Sequence, residues 1–259
     1  MAAAVRDDGH LDFQAGSSAL CRFVSDWESK SSPASRATRR WNLVRQPGVR
    51  PISELLPGVR DELAPLLGGS LQADSGYRWV AAGSESVAEH AATFGAGANL
   101  RLCAGGELVC LADTAPGTAG AEVRGVLLAQ PPASPFDTLA DNNAGLAELD
   151  QDSLLRFAAL DHALQRTRAA FAEPSWYLKM LAVSPRFQKQ GVGSRLLNSL
   201  LALADLDAVR TYLECSRSNE AYFSRFGFVV HETTTPTCGT DVGPEASPPP
   251  PAPLPRAFA

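Results

Sequence analysis

The sequence predicts an α/β protein, and three observations carry that reading. Strand-like and helix-like stretches alternate from Val49 to Val230. Val123 to Gln130 is an apolar strand, and the alternating run Glu107 to Ala112 is its expected antiparallel partner across a loop at Asp113 to Ala121. The third observation is Trp176 to Leu197, WYLKMLAVSPRFQKQGVGSRLL, where an apolar strand passes through a polar loop into Gly191-Val192-Gly193 and a Leu-rich helix. That order turns unpaired backbone N–H groups outward at a helix N-terminus, which is a ready anion site. Glycine at 191 and 193 lets the backbone approach a bulky ligand and tolerates positive φ.

The other elements follow from pattern. Val49-Arg50-Pro51 reads as the end of a first strand. Leu55, Val59, Leu63, Leu66 and Leu67 have helical spacing, with a helix starting at Pro57 and Pro65 kinking or ending it. Ser84 to Phe94 is expected to be a second helix, with Ser84 as N-cap and Gly95-Ala96-Gly97 as its stop. Leu100 to Cys103 alternates like a strand. Leu146 to Phe171 is helical, with Leu154, Phe157, Leu160 and Leu164 on one face. The helix at 192–204 stacks Val192, Leu196, Leu200 and Ala204. A strand at 210–215, a short helix at 219–226 and renewed strand character from Gly227 complete the pattern. Cys21 to Trp27 has the look of another short helix.

The chain of 259 residues divides, on this reading, into an extension at 1–47, partly disordered, a domain at 48–235 and a proline-rich disordered tail at 236–259. No run of about 18 apolar residues exists, and MAAAVRDDGHLDF lacks a secretory pattern, so a soluble cytoplasmic protein without membrane partners is expected. The 5 cysteines include no C-x-x-C pair, which argues against a disulfide framework or structural zinc, and reduced thiols suit an intracellular chain. A net charge of −5 does not suggest nucleic acid. Arg36, Arg39, Arg40 and Arg45 form a local basic stretch, read as a solvated linker.

Three phosphate-loop patterns compete for the central segment. No G-x-x-x-x-G-K-[ST] string exists, which excludes a Walker loop. Leu196 occupies the third small position of a dinucleotide fingerprint, and Ser184 to Gln190 is too long for its tight turn. The acyl-CoA pattern [QR]-x-x-G-x-[GA] is met at every defined position by Gln188-Lys189-Gln190-Gly191-Val192-Gly193. With this loop, the segment resembles the GNAT superfamily of acyl-CoA-dependent N-acetyltransferases. Leu213-Glu214-Cys215-Ser216, Asn219, Tyr222 to Phe228 and Glu173-Pro174-Ser175-Trp176-Tyr177 look most like the branch that includes puromycin N-acetyltransferase.

The resemblance implies the GNAT acyl-CoA N-acyltransferase fold, a mixed and mostly antiparallel sheet flanked by helices, with acetyl-CoA as cosubstrate and a small primary amine as acceptor. It places the pantetheine arm in a split between the 176–183 and 210–215 strands, against Leu181, Ala182 and Val183. It places the pyrophosphate on the N–H groups of Gln188, Lys189, Gln190, Gly191, Val192, Gly193 and Ser194, with Asn219 and Phe223 also against the cofactor and Arg186 and Lys189 as screening cations. Glu214 is the candidate general base, against a structural reading in which it pairs with an arginine. The family's acid is a Tyr four residues before the Gly of [LF]-Y-x-x-x-G-F. Here that position is Phe223, which has no proton to donate, and the neighbouring Tyr222 becomes the candidate acid.

Other residues have plainer readings. His162 is expected at a helix surface or core edge, Cys215 as a small buried residue, and Tyr77 and Trp79 as acceptor contacts or core aromatics. The family's closing strand, hairpinned to the 227–232 strand, has no counterpart in the tail, which leaves a sheet edge to be filled otherwise, for instance by a second chain in a homodimer. Rival functions are a protein or peptide N-acetyltransferase, a CoA-binding module with impaired catalysis, and an interaction protein acting through the proline tail.

Overall fold

The computed structural model describes residues 2–6, 41, 43–55, 63–105, 108–115, 122–132, 149–169 and 174–234. The strands are β1 (Ala2–Arg6), β2 (Val49–Pro51), β3 (Val109–Thr114), β4 (Val123–Gln130), β5 (Ser175–Val183), β6 (Arg210–Cys215) and β7 (Phe228–Thr233). The helices are α1 (Leu63–Leu71), α2 (Ser75–Val80), α3 (Glu85–Gly105), α4 (Gln151–Ala169), α5 (Val192–Asp207) and α6 (Glu220–Ser224). One sheet holds all the described strands in the order β2-β3-β4-β5-β6-β1-β7. Every neighbouring pair is antiparallel except β5 and β6, which the α5 crossover makes parallel.

The two faces of the sheet follow the strand period of two. Val109 and Leu111 of β3 pack with Leu127, Leu178, Leu213 and the α5 stripe Val192, Leu196, Leu200 and Leu203 on one face. Cys110 and Ala112 turn to the other face with Val126, Leu128, Met180 and Ala182, beneath Leu63 and Leu67 of α1 and Ala96 of α3. A smaller cluster joins Val80 and Ala91 to Phe157 and Leu160 of α4. Burying a Leu or Phe side chain contributes roughly 1.5–3 kcal/mol, so these clusters supply most of the force that holds the helices on the sheet. Trp176 adds a polar stitch: its indole N–H donates to Asp207 at 2.8 Å and ties β5 to the end of α5.

Several expectations are met closely. The strands at 49–51, 123–130 and 210–215 have the read limits, and α5 begins at Val192. Others are corrected. α3 does not stop at Gly95 and Gly97 but runs on to Gly105, so Leu100 to Cys103 is helix rather than strand. Gly95 serves close packing there: a Cβ would stand 3.1 Å from the Tyr77 hydroxyl of α2. α4 starts at Gln151 and not at Leu146, because Asp150 accepts from the Ser153 N–H and hydroxyl, both at 2.8 Å, and caps it. Pro65 sits in the first turn of α1 and does not end it, while the expected start at Pro57 lies outside the described residues. The expected helix at 21–27 and the tail also lie outside them.

The largest departure concerns the missing closing strand and the expected extension. Residues 2–6, read as part of a partly disordered extension, form β1 and occupy the place between β6 and β7. β1 pairs antiparallel with both, so β6 and β7 are not direct neighbours.

Candidate active site

β5 and β6 pair only over Ser175–Leu178 and Arg210–Leu213, in register, and beyond those residues the ladder opens. A bulge at this point shifts the β4–β5 register between Leu128 and Ala129. The exposed edge of β5 can be read by parity. Ser184 N–H bonds to the Arg124 carbonyl at 2.9 Å, so Ala182 also turns its peptide groups toward β4, and those of Leu181 and Val183 face the split. The Val183 carbonyl accepts from Gln188 Nε2 at 3.2 Å, which folds the loop back on the strand end.

The loop then climbs through a single turn at Pro185–Phe187 and two left-handed residues, Lys189 (φ 61°) and Gly191 (φ 77°), into α5. Arg195 N–H is the one that bonds to the Gly191 carbonyl, at 3.0 Å, leaving Val192, Gly193 and Ser194 N–H at the open helix start. Gly193 is pressed from behind: a Cβ there would come within 2.9 Å of the Tyr222 hydroxyl. A buried charge cluster fixes this helix start. Asp113 of β3, fully buried, accepts from Arg124 Nε at 2.6 Å and from Arg195 Nε at 2.8 Å. Arg195 Nη1 also donates to the Gln190 carbonyl at 3.3 Å.

A cavity of about 190 Å³ lies where β5 and β6 part. Its floor is Tyr177 to Leu181 and Leu213 to Cys215. Tyr77 of α2 and Phe157, Leu160 and Leu164 of α4 wall it, with Asn219 and Phe223 at the α6 end. Asp74, Asp161, Lys179 and Glu214 bring charge to a mostly apolar lining. Glu214, at 5% side-chain exposure, is its most elaborately held group. Oε2 accepts from the Tyr177 hydroxyl at 2.6 Å, and Oε1 accepts from the Tyr212 hydroxyl at 2.8 Å and faces Arg168 Nε at 3.2 Å. Arg168 reaches in from the last turn of α4 and covers the Tyr177 ring at 4.9 Å. Burial holds the Glu214 carboxyl above its ordinary value, and Arg168 and the two hydroxyls pull against that. Burial and the adjacent carboxylate hold Tyr177 and Tyr212 as neutral donors well above pH 10.

Residues 128–228 match the family model described as the acetyltransferase (GNAT) family. That stretch, somewhat under half of the chain, is similar to this family. Among solved structures, the histone acetyltransferase HPA2 and related acetyltransferase of Corynebacterium glutamicum is 20% identical over 70% of this chain and 83% of that one, with a TM-score of 0.46. An acetyltransferase of Trypanosoma brucei is 16% identical over 72% of this chain and 95% of that one, with a TM-score of 0.37. No curated protein matches the chain.

The GNAT expectations distribute unevenly over this geometry. Gln188, Lys189, Gln190, Gly191, Val192, Gly193 and Ser194 form the loop and helix start, with the Val192 side chain in the core. Ala182 departs from its expected role, because its peptide groups serve β4 and its methyl is buried. Arg186 pairs with Glu122 at 2.8 Å on the surface. Asn219 makes no side-chain cap to α6. Its amide donates to Ser216 Oγ at 3.0 Å, at the cavity margin. Phe223 lines the cavity, whereas Tyr222 does not: its hydroxyl is buried against Gly193 and beside Ser194. One helical step, about 100°, separates the two directions. Cys215 is buried, and its thiol is pushed up to about 11, first by burial. His162 is exposed on α4, Tyr77 lines the cavity, and Trp79 packs outside it with Val80 and Phe157.

The alternative in which Glu214 pairs with an arginine is met by Arg168 at 3.2 Å, but sequence reasoning did not single out Arg168 and missed Tyr177 and Tyr212 as partners of Glu214, along with Arg195. A signal for the tyrosines existed: Trp176-Tyr177-Leu178 and Thr211-Tyr212-Leu213 share one pattern, and their strands pair in that register. Arg168 had none, since a cation in a last helical turn reads as a dipole partner.

Proposed function

We propose that the chain is an acetyl-CoA-dependent N-acetyltransferase for a primary amine on a small molecule, acting by direct attack in a ternary complex, within the branch that includes puromycin N-acetyltransferase. The observation that carries this reading is the cavity: a walled space of about 190 Å³ that ends on Glu214 where the strands part. A long polypeptide acceptor needs an open groove, and α2 and α4 wall this space.

The residues present fit the cosubstrate. The edge of β5 at Leu181 and Val183 offers peptide groups to an extended arm, and the N–H groups of Val192, Gly193 and Ser194, with Lys189 and Arg195 nearby, suit a pyrophosphate. Acetyl-CoA supplies the acetyl group as a thioester. The chain's own work is to orient the amine between Tyr77 and Phe157 and to take the amine proton at Glu214 Oε2. Tyr177 and Arg168 hold that carboxylate in one orientation, which limits the reorganisation needed when the proton moves. Phe223 gives no proton, so water serves as acid. The free thiols Cys103, Cys110 and Cys215 suit a cytoplasmic setting.

Calorimetric titration with acetyl-CoA, followed by thiol release across an amine panel, tests the reading. Binding with turnover on small amines supports it. Turnover only on peptides refutes the acceptor class. Phe223 favours a second reading, a module that binds acetyl-CoA without efficient turnover, and binding without thiol release would select it. A folded protein that does not bind acetyl-CoA refutes both.

A further inference from the structure

β1 stands between β6 and β7 and bonds to both. Ala3 lies opposite Glu214 on one side and Glu232 on the other, and Val5 opposite Tyr212 and Val229. Among the described residues β7 has no other strand partner, and all of it after Phe228 is exposed. Strands pair at about 4.8 Å, so without β1 the edges of β6 and β7 stand at roughly twice that spacing, too far to bond to each other. Two bare edges would then face one slot, one of them on the strand that carries Glu214. Alanine is a weak strand former, so Ala2-Ala3-Ala4 takes its extended form from these neighbours rather than from its own preference. Its partners in β6 and β7 lie more than 200 residues away in the chain, so sequence proximity does not hold it in place.

We propose that the β6–β7 slot is a peptide-binding site, that residues 2–6 of the same chain occupy it as a separable strand, and that the slot accepts the same sequence as a free peptide when the chain's own copy is removed. Recognition is main-chain pairing on two sides, with one irregularity where the β1–β7 register shifts between Ala3 and Ala4. The occupant orders β6 and so positions Glu214.

The test begins with the full chain carrying Ala2→Cys. Ala2 is the register partner of Cys215, and antiparallel partners lie about 4.5–5.5 Å apart at Cα, within disulfide range. Mild oxidation should link the introduced thiol to Cys215 within one chain, read by mass spectrometry and a non-reducing gel. No link, or a link only between chains, overturns occupancy by the same chain. A variant lacking residues 1–8 should lose roughly 5–10 °C in Tm, and its amides at 211–215 and 228–233 should exchange faster. A labelled peptide of residues 1–8 should bind it and restore both, and the same peptide with Ala4→Pro should not. An unchanged Tm, or a folded shortened chain that ignores the peptide, overturns the proposal. If the shortened chain does not fold alone, refolding with the peptide decides: recovery with that peptide supports the slot, and equal recovery with the Ala4→Pro peptide refutes it.

Discussion

Replacing Asp113 with alanine should weaken the protein and the Gln188–Gly193 loop together. The carboxylate is fully buried and takes charged hydrogen bonds from Arg124 at 2.6 Å and Arg195 at 2.8 Å. Removing one member of a buried ion pair costs about 3–5 kcal/mol. Arg124 and Arg195 retain 20% and 33% side-chain exposure, so both can turn to water, which places the loss at the lower end, about 3 kcal/mol. For a domain of this size that is roughly 6–12 °C in Tm. Arg195 also holds the Gln190 carbonyl beside the α5 start, so KM for acetyl-CoA should rise by more than kcat falls. Differential scanning calorimetry and initial rates read the two effects. Asp113→Asn keeps an acceptor and should lose about half as much. A Tm within 2 °C of the parent for Asp113→Ala would refute the argument, since it would mean that the cluster only offsets its own desolvation.

Glu214→Gln should lower kcat about 10²–10⁴-fold and abolish the acidic limb of the rate profile. In the parent that limb falls as pH drops through a value above 4.5, and a flat profile would exclude Glu214 as base. The stability sign is opposite. A pKa raised in the folded state means that its favourable contribution is complete below the unfolded value and is lost as pH rises through the folded one. The Tm of the parent relative to Glu214→Gln should therefore decline across that window. Tyr222→Phe should leave kcat within about twofold and alter mainly the KM for acetyl-CoA, since its hydroxyl faces Gly193 and not the cavity, and a large fall in kcat would reinstate Tyr222 as the acid. Phe223→Tyr places a hydroxyl on the cavity wall and should raise kcat at a cost of a few degrees in Tm, read by thiol release and calorimetry.

The legible parts of this chain are those in which neighbours in sequence are neighbours in space. The loop from Gln188 to Gly193 is such a case, and so are the apolar strands at 123–130 and 210–215, whose limits are marked by charge or turn residues. Gly95 and Gly97 misled because a glycine pair ends an isolated helix but lets a packed one approach Tyr77. Leu100 to Cys103 alternates locally, yet the helix in front of it is long enough to carry through. Glu214 stood out as a carboxylate on a strand beside the loop. Its three partners come from β5, β6 and α4, and only the tertiary fold brings Tyr177 and Arg168 to it. Ala-Ala-Ala-Val-Arg has no strand signature at all, and its partners lie more than 200 residues away.

The place of β1 also dictates an order of events during synthesis. Ala2 pairs with Thr233, a contact that spans most of the chain. Among the described strands the segment is made first, yet its slot does not exist until β7 has been translated. Closing so distant a pair is slow, because the loop entropy is lost before the ladder forms. Until then β6 carries an open edge, and nascent chains of this protein should lean on chaperones most in the interval between translation of residues 215 and 233.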